Sequence, residues 1–224
     1  MTYSVKELFY TLQGEGARTG RAAIFCRFSG CNFWSGLEKD RENATCRFCD
    51  TDFVGTDGPG GGKFASPQEL ARAAARLWQE NTQDRGRPYL VCTGGEPLLQ
   101  LDEPLIEAFH DAGFEVAVET NGSLPVPKTV DWICVSPKSL TDLVQKQGHE
   151  LKLVYPQENI RPEDVADLAF KHFFLQPMDG FGPDANGQDT EKFRQDNTRK
   201  ALDYCRRHPL WRLSLQTHKI LQIP

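Results

Sequence analysis

Short apolar runs punctuate the chain at Ala22–Phe28, Tyr89–Cys92, Phe114–Val118, Trp132–Val135, Leu151–Val154 and His172–Leu175. Brief, continuous runs of Val, Ile, Phe and Leu suit strands covered on both faces. Helical spacing lies between several of them. Ser66-Pro67-Gln68-Glu69 forms a capping box with proline at the first helical position, followed by Leu70, Ala73, Ala74, Leu77 and Trp78 on one face. Asp102 to Ala112 repeats the pattern with Leu105, Ala108, Phe109 and Ala112, and Gly113 is available as a stop. Further helices are predicted over Pro162 to Phe170 and Thr190 to Arg207. The alternation of strand and helix predicts an α/β fold with a parallel sheet.

The pattern is incomplete in an informative way. Asn121 to Asp131 and Pro137 to Glu150 contain Pro125, Pro127, Pro137 and Gly148 and lack helical period, so two crossovers have no proper helix. A full eight-fold barrel takes about 250 residues, so the expectation is an abbreviated, open (β/α) partial barrel of about six parallel strands and three main helices. Trp211 to Thr217 adds a late strand or an extended tail. The whole chain, 1–224, is expected to form one domain with a cysteine-bearing loop at 30–63 and a C-terminal extension at 208–224. Within that loop, the glycine-rich stretch Gly55 to Lys63 reads as flexible.

Composition narrows the function classes. A net charge of −5 and a pI near 5.6 argue against nucleic acid or an anionic membrane surface as partner. Met1 to Tyr10 carries no signal-like apolar run and no segment is long enough to span a bilayer, so a cytoplasmic protein is expected. Seven cysteines, an odd number, favour metal, redox or buried thiols over disulfides. Cys26, Cys92, Cys134 and Cys205 sit in apolar surroundings and read as core residues.

Cys31, Cys46 and Cys49 remain, spaced C-x14-C-x2-C with Phe48 inside the last pair. Three thiolates on one loop can hold an iron–sulfur cluster while leaving one iron open to a ligand. A zinc knuckle is the plainer reading of a C-x2-C pair, but structural zinc takes four ligands, and the first histidine of the chain is His110. Polar groups also gather at the C-terminal ends of the predicted strands, the rim where parallel barrels bind ligands. They are Ser29-Gly30-Cys31, Thr93-Gly94-Gly95-Glu96-Pro97, Glu119-Thr120-Asn121-Gly122, Ser136-Pro137-Lys138 and Gln176-Pro177-Met178-Asp179.

The cysteine triad, the C-x-aromatic-C ending and the Gly-Gly-Glu-Pro turn together resemble the radical S-adenosylmethionine superfamily. The usual spacing there is C-x3-C-x2-C, so the fourteen-residue interval is a departure. The blocks Phe9-Tyr10-Thr11-Leu12-Gln13-Gly14-Glu15-Gly16, Arg27-Phe28-Ser29-Gly30-Cys31-Asn32 and Cys49-Asp50-Thr51 resemble, more narrowly, the 7-carboxy-7-deazaguanine synthase family, some members of which carry the longer interval. That resemblance implies ring contraction of 6-carboxy-5,6,7,8-tetrahydropterin to 7-carboxy-7-deazaguanine with loss of ammonia, on the route to queuosine and other deazapurines. It implies a 4Fe-4S cluster on Cys31, Cys46 and Cys49, S-adenosylmethionine that is cleaved and regenerated, and a magnesium ion at Thr51. For S-adenosylmethionine it implies Phe48, Gly94, Gly95, Glu96, Ser136, Pro137, Lys138, Gln176, Pro177, Met178 and Asp179. For the pterin it implies Leu12, Gln13, Gly14, Arg27, Thr93 and the C-terminal carboxylate of Pro224, with no catalytic side chain beyond the cofactors. A flavodoxin or ferredoxin as electron donor and a homodimer are also implied. The alternatives are an activating enzyme of the same superfamily acting on a protein glycine, and a metal-stabilised electron-transfer or binding module.

Overall fold

A computed structural model of the chain describes residues 2–83, 86–179 and 190–224, whose strands form one nine-stranded sheet. The strands are β1 (Tyr3–Leu12), β2 (Ala22–Phe28), β3 (Gly62–Phe64), β4 (Tyr89–Gly94), β5 (Glu115–Thr120), β6 (Trp132–Val135), β7 (Gln147–Tyr155), β8 (Ala169–Pro177) and β9 (Trp211–Leu213). Their spatial order is β3-β1-β2-β4-β5-β6-β7-β8-β9. All neighbours from β2 to β9 are parallel, and β1 lies antiparallel between β2 and β3. The sheet ends on β3 and β9 rather than closing, which is the open partial barrel expected from the missing crossover helices.

The helices are α1 (Pro67–Asn81), α2 (Glu103–Asp111), α3 (Thr190–Arg207) and the short α4 (Thr217–Leu221). Both predicted caps form. Ser66 Oγ accepts from Glu69 N at 3.2 Å while Glu69 accepts from Ala65 N, and Asp102 accepts from Leu105 N at 3.1 Å. Caps of this kind contribute about 1 kcal/mol each. Leu70, Ala74 and Trp78 of α1 and Leu105, Ile106 and Phe109 of α2 pack on Leu90, Cys92, Val116 and Val118 of β4 and β5. Ala201 of α3 closes a second core with Leu151, Leu153, Phe173, Leu175 and Trp211. No helix among the described residues is long and apolar enough to cross a membrane.

Four details differ from the expectation. Residues 162–170 contain only a 3-10 turn at Pro162–Asp164, because Ala169 and Phe170 already pair with Gln147 and Gly148 as the start of β8. Strand β1 was absent from the prediction because a register shift between Val5 and Glu7 breaks its alternation: Tyr3, Val5 and Leu8 join the helix-side core while Glu7, Phe9 and Thr11 face the other way. The glycine-rich stretch is packed on β1, where a Cβ at Gly58 or Gly61 would lie 2.7 or 2.2 Å from the Lys6 carbonyl oxygen. The strand face away from the helices is only partly apolar: Ala23, Tyr89, Val91 and Ala117 are buried there, while Thr93, Glu119, Lys152 and Gln176 line a concavity.

Candidate active site

The concavity is a cavity of about 370 Å³ over the C-terminal ends of the parallel strands, within the usual range for small-molecule sites. Cys31, Cys46 and Cys49 all line it. Cys31 follows the end of β2, and the other two come from a segment with neither strand nor helix. That segment is ordered by a small core of its own, in which Trp34, Ala44 and Phe53 are buried against Cys31 and Cys49 and the Trp34 and Phe53 rings meet edge to face at 5.6 Å. Burial raises the Cys31 thiol above its ordinary range. Cys46 and Cys49 share a hydrogen bond that lifts Cys46 and brings Cys49 down to about 7, so a thiolate forms readily at the neutral pH where metal binds.

The donor set fits a polynuclear cluster. Among the described residues, one trio of potential ligand atoms falls within 4.8 Å of one another, Glu119, Cys134 and Glu150, and the three cysteines are more widely spread than that. The acidic trio is itself matched by protein groups: Lys152 Nζ donates to Glu119 at 2.8 Å and the Ala17 amide to Glu150 at 2.8 Å.

Gly94 and Gly95 follow β4 and press against the end of β2. A Cβ at Gly94, whose φ is +135°, would stand 2.2 Å from the Phe28 carbonyl oxygen, and one at Gly95 would stand 2.2 Å from the Gly30 oxygen and 2.7 Å from Cys31 Cβ. Only glycine lets this turn approach the first cysteine so closely. Both line the cavity, as do Phe48, Ser136, Lys138, Gln176, Pro177, Met178 and Asp179. Lys138 Nζ donates to the Ser136 carbonyl at 3.0 Å and sits 5.9 Å from the Phe48 ring centre. Glu96 and Pro137 do not line it. The fully buried Glu96 carboxylate accepts from Thr120 Oγ1 at 2.8 Å, Asn121 N at 2.8 Å and Leu98 N at 3.0 Å, so it braces the rim from behind. Burial raises its carboxyl despite those donors.

Leu12, Gln13, Gly14, Arg27, Thr93, Thr51 and Pro224 line the cavity as well. Arg27 is tied through Nε to Glu7 at 2.6 Å. Thr11 Oγ1 donates to the Pro224 oxygen at 2.8 Å, which brings the chain's end to the site, and Thr217 of α4 donates twice to the Gly14 carbonyl at 3.0 and 2.9 Å. Lys219 bridges Asp50 of the cysteine loop and Asp179 after β8.

Beneath these lies a charged floor, of which the rim motifs disclosed only Glu119. Lys152, 4% exposed, bonds both Glu15 and Glu119, while Gln13 donates to Glu119 at 3.1 Å, and Gln176 and Gln216 donate to Glu15 at 2.9 and 3.0 Å. Burial alone would raise the Glu15 carboxyl, but the Lys152 ammonium overcomes it and brings it down to about 2. The same two carboxylates hold Lys152 charged against its own burial. The signal for this floor was a lysine inside the apolar run Leu151–Val154, where an unpaired charge would be costly, and Glu15 in the Gln-Gly-Glu-Gly block. His218 also lines the cavity, and burial lowers its imidazole below the ordinary range.

Comparison with known proteins agrees with this geometry. A family model for the radical SAM superfamily matches residues 41–151, a stretch that holds Cys46 and Cys49 but begins after Cys31, inside the fourteen-residue interval. The chain is 61% identical to the 7-carboxy-7-deazaguanine synthase of Bordetella pertussis and 58% identical to that of Burkholderia multivorans, each alignment covering 100% of both chains. The crystal structure of QueE from Escherichia coli is similar with a TM-score of 0.64 and 27% identity, covering 96% of this chain and 94% of that one.

Proposed function

The chain belongs to the family of 7-carboxy-7-deazaguanine synthases, radical S-adenosylmethionine enzymes, and from that premise we propose how its own residues carry the reaction. The reaction is the ring contraction of 6-carboxy-5,6,7,8-tetrahydropterin to 7-carboxy-7-deazaguanine with release of ammonia, in queuosine and related deazapurine biosynthesis. When bound, the 4Fe-4S cluster and S-adenosylmethionine would supply the electron and the radical chemistry for hydrogen abstraction at C6 of the pterin.

Cys31, Cys46 and Cys49 would hold the cluster, and three thiolates would leave it open to S-adenosylmethionine. Gly94 and Gly95 offer backbone oxygens to its ammonium, which a side chain at either position would block by displacing the turn. Glu96 contributes indirectly, since its carboxylate is already fully engaged by Thr120, Asn121 and Leu98. Phe48, with Lys138 near its face, packs on the adenine, and Ser136, Lys138 and Gln176 to Asp179 serve the ribose, carboxylate and adenine, while Pro137, which does not line the cavity, acts only through the turn that carries Ser136 and Lys138.

On the strand beside the Gly94-Gly95 turn, Arg27 grips the pterin carboxylate. Its Nε is fixed by Glu7, so the guanidinium is oriented before substrate arrives. The backbone of Leu12 to Gly14, held by Thr217, and the Thr93 hydroxyl meet the polar edge of the pterin. The Pro224 carboxylate closes the site. Thr51 supplies one hydroxyl to magnesium, and the flanking carboxylates of Asp50 and Asp52 are already matched by Lys219 and Lys6. Substrate and water complete such a shell.

All seven cysteines are free, which suits a reducing cytoplasm, and a flavodoxin or ferredoxin there would deliver the electron. The exposed apolar side chains of Ile220 and Leu221 on α4 offer part of a homodimer surface. The observation that carries the reading is the convergence of the cysteine triad, the Gly94-Gly95 turn and Arg27 on one cavity of small-molecule size. Full-length similarity to 7-carboxy-7-deazaguanine synthases disfavours the protein-glycine alternative. Anaerobic turnover with S-adenosylmethionine, reductant, magnesium and carboxytetrahydropterin tests it. Formation of 7-carboxy-7-deazaguanine and ammonia is expected, and reductive loss of S-adenosylmethionine without that product would refute it. Thr51→Ala should keep its cluster and lose most of its response to magnesium; an unchanged response would remove the ion from that residue.

A further inference from the structure

Resting on the cluster reading above, we propose that Arg41 is a positioning residue for the iron–sulfur cluster: its buried guanidinium holds the backbone of the Cys46–Cys49 turn at Arg47 and Cys49 and sets there a fixed positive charge that makes the cluster easier to reduce.

Arg41 lies in the fourteen-residue interval that separates Cys31 from Cys46, in a 3-10 turn over Glu38–Asn43. It is 8% exposed, unusual for arginine, and does not line the cavity. Its Nη1 donates to the carbonyl oxygens of Arg47 at 2.8 Å and Cys49 at 3.0 Å, which spans the Cys46-Arg47-Phe48-Cys49 hairpin on its outer side. Its guanidinium lies 4.1 Å from the centre of the Trp34 ring, which packs in one small core with Ala44, Phe53, Cys31 and Cys49. Nε is bound at 2.9 Å to both oxygens of Glu38, a carboxylate that is 78% exposed. The long interval therefore folds back and supplies a clamp for the ligands that follow it.

Two physical consequences separate this role from plain packing. A planar guanidinium bridging two carbonyls fixes the distance between successive turns of the hairpin, which a lysine ammonium on a flexible stem does less well. A cation a few ångströms from the ligand backbone stabilises the extra electron of the reduced cluster, and local charge and hydrogen bonding are established levers on cluster potential. Glu38, being solvated, offsets that charge only in part.

The test compares reconstituted wild-type, Arg41→Met, Arg41→Lys and Glu38→Gln proteins by anaerobic EPR-monitored redox titration, together with the rate of iron loss to a chelator. Arg41→Met is expected to lower the midpoint potential and to shed iron several-fold faster. Arg41→Lys should keep the wild-type potential yet still shed iron faster. Glu38→Gln should raise the potential with iron retention unchanged. Potentials of Arg41→Met and Glu38→Gln that both equal the wild-type value would overturn the proposal. If Arg41→Met holds no cluster, Glu38→Gln decides alone: a raised potential supports the proposal and an unmoved one refutes it. A wild-type protein that takes up no iron–sulfur cluster would instead remove the reading on which the proposal rests.

Discussion

The cysteine-bearing wall of the cavity has neither strand nor helix over residues 44–61, and it is ordered by Trp34, Phe53 and Arg41. The floor opposite is the reverse: Glu119 and Lys152 project from β5 and β7 in the middle of the sheet and are ordered by charge. A loop wall can adapt its ligands to a cluster that arrives after the chain has folded, whereas a strand-borne floor holds a fixed polar template for a small molecule. The difference implies that damage to the two walls should separate: one set of changes empties the site of iron while the fold persists, and the other destabilises the fold.

Cys46→Ala should sharpen that contrast most. Loss of one of three thiolates is expected to abolish the cluster and all turnover, while circular dichroism and the melting temperature stay close to wild type. Lys152→Met comes next. It leaves Glu15 and Glu119 buried without their cation, and removing one partner of a buried ion pair costs about 3–5 kcal/mol, to be read by urea unfolding. Iron bound per folded chain should not change; a loss of iron equal to that of Cys46→Ala would break the comparison.

Acid should find the floor before the loop. The Glu15 carboxyl is held at about 2 in the folded protein, below its ordinary value of 4.5, so its stabilisation is full above pH 4.5 and is lost as pH falls toward 2. The loss across that window is on the order of 2–3 kcal/mol. Thermal melts at stepped pH should show a steeper acid decline in wild type than in Glu15→Gln. Gly95→Ala is expected to cost about 1–3 kcal/mol of stability from overpacking. Because the added Cβ would meet Gly30 O and Cys31 Cβ, reconstitution should suffer visibly more than stability does.

The two walls also differed in how far the sequence disclosed them. The cysteine triad, the Gly94-Gly95 turn and Arg27 were legible because their chemistry demands particular residue types within short local motifs, and every one of them lines the cavity. The helix-covered face of the sheet was legible as apolar runs with capped helices between them. The floor was not, because Lys152 gains its meaning from Glu15, which lies 137 positions away in the chain, and Glu119, 33 positions away. Glu96 shows the opposite limit: the motif identifies the turn, but the direction of its carboxylate is decided by Thr120 and Asn121 on the neighbouring strand and loop. Strand β1 escaped through its register shift, and the short segment after Pro162 was drawn into β8 because sheet pairing outweighs weak helical propensity.

EPR of the anaerobically reconstituted and reduced protein, recorded with and without S-adenosylmethionine, is the measurement that addresses the open coordination site most directly. A 4Fe-4S signal whose shape changes when S-adenosylmethionine is added is the predicted result. A protein that binds zinc in place of iron, or a cluster whose spectrum is indifferent to S-adenosylmethionine, would contradict it.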